Sequence, residues 1–80
     1  MFSNRTQDGR NNICGIEIAK LRKVLRISQR ELADRLSNAG LIIDKNAVQR
    51  IESGQRFVTD IELITISRVL QVTINDLLGI

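Results

Sequence analysis

Between Lys45 and Ser53, the side chains of Lys45, Asn46, Gln49, Arg50 and Ser53 share one side of a helical projection, and Val48 and Ile51 occupy the other. The first side is long-armed and polar. Lysine and arginine can donate to guanine O6 and N7 or to phosphate, and asparagine and glutamine can make the paired bonds that adenine N6 and N7 invite. Ala47, being small, would let such a helix sit close to a surface. A solvated helix face carries the same residue types, so composition alone leaves both readings open. Other chemistries find little support. The chain has no histidine and a single cysteine, so an intramolecular disulfide is impossible and ordinary zinc spacing is absent. No glycine-rich phosphate loop is present and the carboxylates sit mainly at helix starts, so no catalytic group, metal site or cofactor is expected and the chain does not read as an enzyme. Cys14 reads as a small buried hydrophobe rather than a reactive thiol.

The elements that would position this face announce themselves by their ends. Ser28-Gln-Arg-Glu31, Thr59-Asp-Ile-Glu62 and Thr73-Ile-Asn-Asp76 each place a hydroxyl at a helix N-cap and a carboxylate three residues on, the capping-box pattern. Ile27 with Leu32, Val58 with Leu63 and Val72 with Leu77 form hydrophobic staples across the same three starts. Asp44 is a fourth cap, flanked by Ile43 and Val48 in the same relation. An earlier helix follows from the inward stripe Cys14, Ile18, Leu21 and Leu25, with Asn12 as its cap. The second helix is expected over about Gln29 to Ala39, with Leu32, Ala33, Leu36 and Ala39 inward and Gly40 ending it; the third covers Lys45 to Ser53 and stops at Gly54. The fourth, Asp60 to Gln71, is expected to turn Ile61, Ile64 and Leu70 inward, and a short fifth ends at Gly79. The fold class is thus all-α, five helices in one compact domain.

Eighty residues suit one core, so residues 12–80 read as a single domain after a mobile tail over 1–11. Arg5 and Arg10 in that tail could touch phosphate, although a solvated tail is the simpler reading. The basic charge is uneven: eight Lys/Arg stand against four Asp/Glu in residues 1–40, and four against five in residues 41–80. That bias agrees with an anionic partner but supports one only weakly. Neither a secretory leader nor a long apolar run is visible, so a cytoplasmic protein without membrane contact is expected.

Ile18-Ala-Lys-Leu-Arg22, Ile27-Ser-Gln-Arg-Glu-Leu-Ala33, Val48-Gln-Arg-Ile-Glu-Ser-Gly54 and Leu70-Gln-Val-Thr-Ile-Asn-Asp-Leu77 together resemble the Cro and lambda-repressor helix-turn-helix family over roughly residues 16–78. The resemblance implies a regulator that binds double-stranded DNA at the nucleoid, a repressor, with the third helix in the major groove and the second across the backbone. It implies a phosphate contact for Gln29, base-reading or groove-edge roles for Lys45, Asn46, Gln49 and Arg50, and backbone contacts for Ser53, Gln55 and Arg56. It also implies an internal ion pair between Arg22 and Glu52, structural rather than recognising.

The chain departs from the usual pattern in residues 37–43, which are longer than in many members; an extended second helix with a short link accounts for this. Leu41, Ile42 and Ile43 then need covering, as loop anchors on the core or, for Leu41 and Ile42, as a contact for a partner. Residues 59–80 are net acidic and should face away from DNA, and Ile74, Leu78 and Ile80 make the C-terminal helices a candidate homodimer interface. Two recognition helices would then lie about 34 Å apart, one turn of DNA. The alternative is a protein-interaction module of the same fold, an antirepressor, antitoxin or regulator partner with little DNA affinity.

Overall fold

The computed structural model describes residues 5–80. Among them are five helices and no strand: α1 (Cys14–Val24), α2 (Gln29–Asn38), α3 (Lys45–Ser53), α4 (Asp60–Leu70) and α5 (Ile74–Leu78). Four begin on the side chains that the sequence marks. Ser28, Asp44, Thr59 and Thr73 accept from the backbone N–H groups of Glu31, Ala47, Glu62 and Asp76 at 2.8–3.2 Å. At Thr59 and Thr73 the carboxylate also reaches back to the cap N–H, closing the box. At Ser28 it does not, because Glu31 pairs with Arg35 one turn further on. Before α1, Ile13 at the helix boundary makes no side-chain cap bond, and Asn12 one residue earlier takes that part, its Oδ1 accepting from the Gly15 N–H at 2.8 Å.

The core gathers Cys14, Ile18, Leu32, Ala33, Leu36, Val48, Ile51, Ile66, Leu70 and Leu77, with the staple residue Ile27. Helix α3 packs on α1 and α2, α5 on α1, and α4 on α2 and α5. Several expected inward positions are exposed, each for a definite reason. Leu25 and Ala39 fall on the capping residues of α1 and α2, where the helical stripe has already ended. In α4 the error is one of phase: Ile61 is 74% exposed and Ile64 is exposed, whereas Ile66, Ser67 and Leu70 are buried and Leu63 packs beside them. An apolar helix carries two usable stripes, and the core selected the one that the Val58–Leu63 staple belongs to. Ala47, expected on the outer face of α3, is buried instead and serves helix packing.

In the segment joining α2 to α3, Leu41 and Ile43 pack against the core. Ser37 donates to the Ile43 carbonyl, which ties the link to the end of α2. Ile42 alone of the three points outward, 80% exposed.

Thr6 and residues 8–11, expected as part of a tail, are hydrogen-bonded; residues 1–4 of that tail lie outside the described chain. The Arg10 N–H donates to the Thr6 hydroxyl and the Thr6 N–H to the Arg10 carbonyl, making a small turn. From Arg10 the chain then lies along the C-terminal end of α3.

Candidate nucleic-acid interface

The outer face of α3 is formed by Lys45, Asn46, Gln49, Arg50 and Ser53, all exposed, while Ala47, Val48 and Ile51 turn into the protein. Asn46, Gln49, Arg50 and Ser53 line a shallow concavity of about 330 Å³ together with Gln55, from the corner that follows the helix. Five of the eight expected interface residues therefore meet on one surface. Lys45 lies on its flank, across a second cleft that it lines with Arg30, Asp34 and Asn46 between α2 and α3. Arg30 was not singled out from the sequence. Its signal was available: a long cation at the second position of the helix that should cross a backbone, next to Gln29.

Helix α3 is joined to the rest through Glu52, whose carboxylate receives Arg22 Nε at 2.7 Å and Arg22 Nη2 at 3.0 Å. Side-chain exposures of 13% and 8% make this a largely buried pair. The two-pronged geometry suits a planar guanidinium against a carboxylate. The hydrogen bonds that Arg22 gives to Glu52 raise the guanidinium pKa further, so the charge is permanent. Arg22 Nη1 also donates to the Ile27 carbonyl, so one arginine holds α1, the entry to α2 and α3 together.

Gln29 joins the same network, its amide donating to Glu52 Oε1 at 3.0 Å. A primary amide has a second N–H and an acceptor oxygen, so that bond orients Gln29 and leaves donor capacity over. Arg56 is more fully committed. Nη1 and Nη2 reach the two oxygens of Glu62 at 3.1 and 2.9 Å, and Nη1 also meets the Phe57 carbonyl. The Arg56 hydrogen bonds hold the Glu62 carboxyl below its ordinary range, with further help from the Thr59 N–H. Arg56 thus braces the corner between α3 and α4. Of the expected backbone-contacting set, Ser53 and Gln55 keep exposed side chains there.

Cys14 is buried, and desolvation raises its thiol pKa, which fits a packing role. Among the described residues no cluster of metal-ligating side chains forms, and no helix is long and apolar enough to cross a membrane.

Comparison with known proteins bears on this arrangement. A helix-turn-helix family model matches residues 18–77, from the middle of α1 to the penultimate residue of α5. Neither the curated proteins nor the solved structures compared gave a match. The match spans most of the chain, including both helices of the motif, the Arg22–Glu52 tie and the polar face of α3. The chain belongs to the Cro/lambda-repressor-like helix-turn-helix family of DNA-binding transcriptional regulators.

Proposed function

We propose that this protein is a sequence-specific repressor that reads the major groove with α3 and blocks transcription by occupying its site. The observation that carries this reading is the division of α3: its buried residues are short and apolar, and its exposed ones are donors and acceptors that match base edges. Lys45, Asn46, Gln49 and Arg50 are the base-reading group. Ser53 and Gln55, with Gln29 and Arg30 at the start of α2, face the backbone. Arg56 acts chiefly by holding the corner. The protein works by binding rather than by catalysis, in the cytoplasm where DNA is accessible.

A homodimer supports this function best. Ile61 and Ile64 on α4, with Ile74 and Ile80 at α5, leave apolar surface exposed on the acidic half of the chain. Burying that surface against a second copy would present two copies of α3 to successive turns of the groove.

Selection of bound sites from random duplexes tests the reading. An enriched palindromic sequence is expected, with affinity that falls steeply as salt rises. In the same assay Arg50→Ala should change the preferred sequence. Recovery of no enriched sequence would count decisively against a specific repressor.

A further inference from the structure

We infer that the segment Thr6–Asn12 is a strap that fixes the recognition helix in place, with Arg10 and Asn12 as positioning residues for DNA binding. This rests on the reading of α3 as the groove-reading helix.

Helix α3 has nine residues, and so short a helix is marginal in water without outside support. Its last carbonyls have no partner within the helix. Gly54, in the left-handed conformation, turns the chain so that the N–H groups of Gln55 and Arg56 return to the Arg50 carbonyl. The Gly54 N–H returns to the Ile51 carbonyl, and the further acceptor capacity of this end is met from the other end of the sequence. Arg10 Nη2 donates to the Glu52 carbonyl at 2.9 Å, and Asn12 Nδ2 donates to the carbonyls of Ile51 at 3.1 Å and Arg56 at 2.7 Å. The Asn11 N–H donates to the Gly54 carbonyl at 2.7 Å and its Nδ2 to the Gln55 carbonyl at 2.9 Å. Three consecutive residues therefore serve the carbonyls of Ile51, Glu52, Gly54, Gln55 and Arg56.

Two glycines make room for this contact. A Cβ on Gly54 would stand 2.8 Å from Arg10 Cζ and 2.9 Å from Arg10 Cγ, so the arginine stem lies directly over that glycine. A Cβ on Gly15 would stand 2.7 Å from both Arg10 Nη2 and Asn12 Oδ1. Arg10 also places a positive charge at the negative end of the α3 dipole. Asn12 is doubly engaged, capping α1 through Oδ1 while its amide nitrogen holds α3. The start of α1 and the end of α3 are thus locked by one side chain.

The strap grips the helix at its C-terminal carbonyls, adjacent in the chain to Ser53 and at Gln55 itself, residues that should meet the DNA. Recognition requires donors held to within about half an ångström, so loosening this end should reduce affinity without removing any base contact. The strap does its work by placement, and Arg10 commits Nε and Nη2 to the carbonyls of Asn12 and Glu52.

The test uses the full chain and the duplex enriched by selection, comparing wild type with Arg10→Met, Arg10→Lys and the core variant Ile66→Val. At a temperature where circular dichroism shows every variant folded, Arg10→Met should weaken binding about tenfold and Arg10→Lys less, while Ile66→Val stays within about twofold of wild type. The slope of log affinity against log salt should stay unchanged for Arg10→Met. Amide exchange at Gln55 and Arg56 should quicken in Arg10→Met without DNA present. A slope smaller by about one would mark Arg10 as a direct phosphate contact and overturn the inference. So would an affinity loss no larger than that of Ile66→Val, or unchanged exchange at the two amides. Failure of wild type to bind any duplex would instead defeat the DNA-binding reading, since the exchange measurement needs no DNA.

Discussion

At its C-terminal end α3 is held by Arg10, Asn11, Asn12 and Arg22, and the corner beyond it by the Arg56–Glu62 pair; its N-terminal end is entered by a loop that rests on the Asp44 cap and the Ser37 bond. The contrast has a mechanical meaning. In a helix-turn-helix the first turn of the recognition helix meets the base edges. Here Lys45 and Asn46, with Gln49 on the next turn, stand exposed. Ala47, Val48 and the loop residues Leu41 and Ile43 seat this end on the core, but its polar ties are local, whereas the far end is held by side chains from distant parts of the chain. Rigid support at one end leaves the other clear to enter a groove.

Removing supports should separate the two ends. Arg22→Ala is expected to cost most, about 3 kcal/mol, because it strands the Glu52 carboxylate in a buried site with only Gln29 beside it. Chemical denaturation should show this as a lowered midpoint with little change in slope. Gly15→Ala should come next, at about 2 kcal/mol, since its Cβ would collide with the Ile51 carbonyl and α1 must shift away from α3. A melting temperature equal to wild type for either variant would show that the C-terminal end is not anchored as described.

The Arg56–Glu62 brace gives a smaller, pH-dependent effect. The folded-state pKa of Glu62 lies below its ordinary value of 4.5, so the pair's contribution is present above that value. It disappears as pH falls through the lower folded-state value. Glu62→Gln should therefore lower the melting temperature at neutral pH and flatten its decline in acid; parallel acid profiles would remove the brace from the account. At the opposite end, Ile42→Ser should change stability by less than about 0.5 kcal/mol, because the side chain is exposed and packs on nothing that a serine would uncover. A large loss there would mean that Ile42 anchors the entry loop beside Leu41 and Ile43, and the contrast between the two ends would fail.

Much of this molecule was legible in its helix starts. Ser28, Asp44, Thr59 and Thr73 cap as their spacing requires, because a cap bond joins atoms three residues apart and depends on little else. The polar face of α3 was legible for the same kind of reason, since helical periodicity assigns sides once the helix is known. The inward face of α4 was not. Ile61, Ile64, Leu63 and Ile66 are equally apolar, and only the position of α2 and α5 decided which pair was covered.

The strap shows where sequence reasoning stops. Polar residues at 10–12 resemble any solvated terminus, and the groups that hold them are backbone carbonyls, which every residue possesses. Which carbonyls lack partners becomes visible only when α3 has ended and its last turn has been placed beside α1. The sequence by itself determined where the helices begin and which chemistry α3 presents, because those are short-range properties of spacing and side-chain type. The tertiary structure alone decided which apolar stripe is buried, that Arg56 is bound to Glu62, and that the N-terminal residues hold the end of α3. Each of those depends on groups far apart in the chain whose meeting no local pattern encodes.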